Sequence, residues 1–152
     1  MPDLAHTITL DPQLQPGARN AIRDCLRLQQ DERITIITDE FTRDIAMALQ
    51  AEVEEIGSEH AVFVLEEHAE RPLTDMPEVI LNDLAKSQVS IFCAQTQRGE
   101  LRSRMQMSDV VNRNRIRHGH MVNITRKIML EGMRADFRAV DALSQAEAMK
   151  GR

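Results

Sequence analysis

The chain has 152 residues and a mass of 17.3 kDa, room for one core-forming domain. Its 42% apolar and 28% charged content is that of an ordinary globular protein, and no apolar run approaches the roughly 18 residues of a membrane span. Two cysteines, Cys25 and Cys93, are too few for a disulfide scaffold or a multi-cysteine zinc centre.

The net charge of −5 is unevenly spread. From Arg98 to Arg138 the balance is +6, which leaves −11 elsewhere, and such asymmetry marks an anionic partner or complementary surfaces. Four Phe, with no Tyr and no Trp, leave too few stacking platforms for a single-strand nucleic-acid binder. The opening Met1-Pro2-Asp3-Leu4-Ala5-His6 lacks both a basic region and an apolar core. The expectation is therefore a protein without a secretory signal in the reducing cytoplasm.

Residues 1–15 read as an extended arm, and residues 16–152 as one α/β domain. Pro16 opens a helix, where a first-turn proline gives up no hydrogen bond. Ala18, Ala21, Ile22, Cys25, Leu26 and Gln29 recur at helical spacing to about Gln30. Arg33 to Thr38 is rich in β-branched residues and reads as a strand. Phe41 to Ile56 returns to helical spacing, with Gly57 placed as its C-terminal cap.

Ala61 to Leu65 reads as a second strand without polar alternation, the pattern of a strand covered on both faces. Glu66 to Pro77 is a polar loop, and Pro77 starts a helix carrying Val79, Ile80 and Leu84. Val89 to Ala94 is a third strand. After the loop from Gln95 to Gly99, a helix runs from Glu100 to about Asn112, with Leu101, Met105, Ser108 and Val111 expected inward. Ile116 to Val122 makes a fourth strand, and Thr125 caps a short helix through Ile128, Met129 and Met133. A last helix starts at Asp136.

Strands alternating with helices imply a three-layer, Rossmann-like parallel sheet of about four strands, order 2-1-3-4. The winding then reverses beyond Thr38 and Ala94, where ligands bind in sheets of this kind.

Six scattered glycines form neither a dinucleotide-binding turn nor a phosphate-cradling loop, and no nucleophile elbow or paired-histidine zinc helix exists. The candidate ligand-binding residues are those at the expected crevice: Asp39, Glu40 and Thr42 after the first strand, Gln95 and Thr96 after the third, and Asn123 and Thr125 after the fourth. Asp39 and Glu40 serve equally as a cap and a dipole partner for the following helix, the favoured reading. His118-Gly119-His120 puts two imidazoles on one face of a strand, within reach of one metal. A third ligand is not evident, so structural histidines are expected. The methionines clustered from Met105 to Met133 suit core packing or an adaptable docking face.

Three segments carry a resemblance: Thr38-Asp39-Glu40-Phe41-Thr42, the stretch from Glu78 to Gln97, and Gly119-His120-Met121-Val122-Asn123-Ile124-Thr125 followed by Ala135-Asp136-Phe137-Arg138-Ala139-Val140. Together they resemble the N-terminal domain of the aminopeptidase T class of leucyl aminopeptidases, thermophilic-type metallopeptidases, over residues 18–143. Val122-Asn123 stands where the relatives carry Pro-Gly in their turn. In that family a two-metal site of Glu, His, Tyr and Asp lies in a second domain, and none of those ligands has a matching position here. The resemblance thus implies a non-catalytic domain without a cofactor of its own, the divalent metal belonging to the catalytic domain. Its implied partner is that metallopeptidase domain or a second copy of this chain. The alternative is a stand-alone module that binds a small ligand or an anion in the crevice.

Overall fold

The structure, a computed structural model, describes residues 10–130. Residues 1–9 of the arm, Met133 and the helix expected from Asp136 lie outside the described residues.

Four strands, β1 (Arg33–Thr38), β2 (Glu59–Val64), β3 (Val89–Cys93) and β4 (Arg117–His120), pair in parallel in the order β2-β1-β3-β4. The register places Thr35 between Ala61 and Ser90, and Ser90 beside His118. The helices are α1 (Gln15–Arg19), α2 (Arg43–Ile56), α3 (Glu78–Leu84), α4 (Leu101–Arg113) and the short α5 (Arg126–Ile128). The expected α/β architecture and strand order are thus present.

Pleating sends alternate side chains of each strand into two separate cores. Ile34, Ile36, Val89, Ile91 and Cys93 pack with Ala18 and Ile22, with Ile45, Leu49 and Val53 of α2, and with Met121, Ile124 and Met129. Ile37 and Phe92 face the other way, against Ile80 and Leu84 of α3 and Met107, Val110 and Val111 of α4. Gly57 closes α2 at φ 89°, a left-handed conformation in which its amide donates to the Val53 carbonyl at 2.9 Å. Thr125 caps α5 by accepting from the Ile128 amide at 3.1 Å.

Several boundaries and faces differ from the sequence expectations. The first helix stops well short of Gln30: α1 continues as a π-helical turn (Asn20–Cys25), and Arg27 at φ 52° ends it. Gln29 is accordingly exposed. Residues 61–63 of β2 are only half-buried, because β2 is an edge strand and the helices cover it incompletely.

Most consequential is α4. Leu101 and Met105, expected inward, are 62% and 61% exposed, while Ser103, Met107, Val110 and Val111 are buried. Both stripes carry one methionine and satisfy helical spacing, so hydropathy alone does not choose between them. The choice follows from how the chain leaves β3. Glu100 is drawn inward by its carboxylate contacts, and this rotates Leu101 out to solvent. Among the described residues no helix is long and apolar enough to cross a membrane.

Candidate functional site

The winding reverses between β1 and β3, and the segments after Thr38 and Cys93 flank the resulting crevice. Asp39 is fully buried between them. Its Oδ1 accepts from the Thr42 amide at 3.0 Å and lies 2.8 Å from the Thr42 hydroxyl, which also reaches the Cys93 carbonyl at 2.5 Å. Its Oδ2 accepts from the Gln95 amide at 2.7 Å. One carboxylate therefore ties the turn before α2 to the end of β3, while the N-cap position of α2 is Thr42 rather than Asp39.

The crevice is occupied by a side chain that the sequence reading passed over. Arg71, from the loop after β2, is only 7% exposed and converges on three carboxylates. Its Nε donates to Glu100 Oε2 at 2.5 Å and its Nη2 to Glu100 Oε1 at 2.9 Å, a two-pronged pair. Nη1 donates to Glu66 at 2.9 Å and reaches Asp39 at 3.4 Å, while Nη2 also donates to the Gln95 carbonyl at 2.7 Å. Glu100 further accepts from the Leu73 and Gln97 amides at 2.7 and 3.0 Å.

The electrostatics follow from these contacts. Burial works to raise the Glu100 carboxyl, but the bonds from Arg71, Leu73 and Gln97 outweigh it and hold the group below its ordinary value. The bond to Glu100 is the largest influence holding the Arg71 proton more tightly than usual, against the opposing effect of burial. Arg71 is thus a fixed cation at the mouth of the sheet.

The expected residues fall along this rim. Asp39, Thr42 and Gln95 are joined directly. Thr96 donates its amide to the Asn123 side chain at 2.9 Å, and Asn123, at φ 58°, donates its own amide to the Ala94 carbonyl at 2.9 Å. Thr125 stands at the far end as the cap of α5, and Glu40 is exposed at the near end, its amide donating to Glu66 at 3.1 Å. Sequence reading missed Arg71, Glu66 and Glu100. The available signal was a single arginine in an acidic loop, Glu66-Glu67-His68-Ala69-Glu70-Arg71, whose partners besides Glu66 come from two other segments, after β1 and after β3. Outside Arg71 lies an open hollow of about 690 Å³ lined by Glu66, His68, Ala69, Glu70, Arg71 and Gln97.

The two histidines of β4 do share a face. His118 Nδ1 lies 2.6 Å from the Ser90 hydroxyl, and His118 Nε2 lies 3.4 Å from His120 Nδ1. The His120 ring stacks on Phe92 with centroids 5.7 Å apart. Burial, reinforced by the neighbouring His120, pushes His118 down to about 3, so it stays neutral at physiological pH. Among the described residues no group of three or more His, Cys, Asp or Glu side chains is placed to hold a metal ion.

No family model matches the chain, and no curated protein matches it.

Proposed function

We propose that this chain is a non-catalytic α/β docking domain, packing against a catalytic metallopeptidase domain or a second copy of itself. The observation that carries this reading is the contrast at the strand carboxyl ends. The crevice polar groups are satisfied by one another around Arg71, while large apolar side chains at the same end face solvent. Phe41, just after β1, is 73% exposed, and Leu101 begins α4 just after the loop that follows β3. Met105 sits one turn further along the same stripe, with Arg102 following Leu101 and Arg104 preceding Met105 in sequence. Large apolar side chains left in water beside charged ones suit a protein contact surface. Residues that hold a catalytic metal are not part of this reading; in the family resembled, they belong to the other domain.

A cytoplasmic setting belongs to the same proposal. Neither cysteine forms a disulfide, and burial pushes the Cys93 thiol up to about 12, which makes it inert.

Two measurements test the reading. Assayed with leucine amide substrates and added zinc or cobalt, the folded chain shows no hydrolysis above the blank. In sedimentation experiments it self-associates, or binds an added metallopeptidase catalytic domain, and the triple variant Phe41→Ser, Leu101→Ser, Met105→Ser loses that association. Peptidase activity, or association undiminished in the folded triple variant, overturns the proposal.

The hollow outside Arg71 supports the second reading, a module for a small ligand. Its two lining carboxylates, Glu66 and Glu70, favour a ligand carrying an amine. A thermal-shift screen of amines, amino acids and anions separates this from docking, since a ligand selecting the folded state raises Tm.

A further inference from the structure

We propose that Met105 is a site of reversible oxidation to the sulfoxide by peroxides, and that this modification weakens docking at the exposed stripe of α4. The second half rests on the docking reading above. The first half stands on the unequal burial of the methionine sulfurs.

Of the nine methionines, Met47, Met76, Met105, Met107, Met121 and Met129 fall among the described residues. Met76, Met107, Met121 and Met129 are buried and Met47 is half-buried, whereas Met105 is 61% exposed. A thioether has no proton to lose, so its attack on a peroxide is set by access rather than by ionisation. Met107, two residues on in the same helix, has the same chemistry without the access. It is therefore an internal reference for Met105.

The thiols do not compete at this face. Cys93 is fully buried and packs in the core on the other side of the sheet from α4. Cys25 lies on the π-helical turn whose Ala21 and Ile22 enter that same core.

Position gives the modification its consequence. On the helix surface Met105 has Leu101 at i−4 and Arg102 at i−3 as neighbours, so its thioether is part of the apolar stripe. Oxidation replaces a weak acceptor by a polar S–O group. On the free chain the new oxygen stays hydrated. Under a docked partner it is stripped of water among apolar groups, and burial of such a group without a hydrogen bond is unfavourable. Docking also covers Met105, so the free chain is the form that peroxide modifies.

The step balances with hydrogen peroxide as the oxidant. A lone pair on Met105 Sδ attacks one peroxide oxygen, the O–O bond breaks and an S–O bond forms. The proton on the transferred oxygen passes to the departing hydroxide, which leaves as water. Sulfur is oxidised by two electrons and the peroxide is reduced by two. A methionine sulfoxide reductase reverses the change, two thiols becoming a disulfide as the oxygen leaves in water.

The test treats the full chain, diluted until unassociated, with limiting hydrogen peroxide. Fragment-ion mapping of the peptide from Met105 to Arg113, which holds both helix methionines, places the added oxygen on Met105 at least about tenfold more often than on Met107. A half-oxidised sample is then concentrated, alone or with an added metallopeptidase catalytic domain, and sorted by sedimentation. Met105 sulfoxide collects in the unassociated fraction, the oxidised chain associating at least about tenfold more weakly. The reductase restores association. Met105→Leu, compared only with itself, associates equally before and after peroxide, although every other methionine is present. Oxygen shared evenly between Met105 and Met107 overturns the site. Met105 sulfoxide spread equally over associated and free fractions overturns its control of docking. An untreated chain that never associates overturns the docking reading and that control with it, and the mass map still decides the oxidation site.

Discussion

At the carboxyl ends of β1 and β3 the protein buries a guanidinium among three carboxylates, whereas beside β4 it buries the His118 imidazole against a hydroxyl and a second imidazole. In the first region Arg71 and Glu100 gain hydrogen bonds from each other that favour the charge of both, so that charge persists inside the fold. In the second, the surroundings favour the neutral form, so burial is tolerated only while no proton arrives. The first region therefore resists moderate changes in pH, and the second couples folding to them.

Breaking the charged region has the largest expected effect. Arg71→Ala leaves Asp39 and Glu100 buried without their cation and costs about 3–5 kcal/mol, measured by urea unfolding. Arg71→Lys recovers only part of this, because a single ammonium cannot reproduce the two-pronged contact with Glu100. Full recovery by lysine would show that charge alone, without the planar fork, holds the crevice closed.

Acid sharpens the comparison. The folded value of His118 lies below its ordinary 6.5, so folded and unfolded chains bind protons at that site equally above that pH. Below it the unfolded chain takes up the extra proton, and stability falls by about 1.4 kcal/mol per pH unit toward pH 3. Glu100 behaves differently. Its folded value lies below 4.5, so its contribution is intact above pH 4.5 and disappears only as pH drops through that lower value. Unfolding between pH 6.5 and 4.5 thus separates the histidine from Glu100. The wild type loses roughly 2–3 kcal/mol over that window, and His118→Phe flattens the slope.

Smaller effects separate hydrogen bonding from packing. Ser90→Ala removes the His118 partner and costs about 1 kcal/mol. The smallest change is expected at Met105→Ala, within about 0.5 kcal/mol in the monomer because that side chain is already in water. By contrast, Met107→Ala, two residues on and fully buried, costs about 2–5 kcal/mol. Equal costs at the two methionines would mean that α4 presents the other stripe to the sheet.

Local chemistry made much of the fold legible. Arg33 to Thr38 and Val89 to Cys93 are β-branched or apolar enough to be strands in any compact setting, and their observed bounds lie within one residue of expectation. Gly57 marks the end of α2 for the conformational reason its φ shows, and Thr125 caps its helix through its hydroxyl. At the crevice, the position of Asp39, Gln95 and Asn123 on the rim follows from connectivity alone, because the reversal in strand order fixes which loops meet. Arg71 was not legible: its partners at positions 39, 66, 95 and 100 are spread over the chain, and no spacing rule connects them.

The sequence by itself determined the elements, their parallel alternation and the side of the sheet on which polar loops gather, since hydropathy period and chain connectivity act locally. Tertiary structure decided which stripe of α4 is buried, how completely β2 is covered, and which cation closes the crevice. Those choices depend on contacts between distant segments, where alternatives of equal local quality differ only in what they meet across the fold.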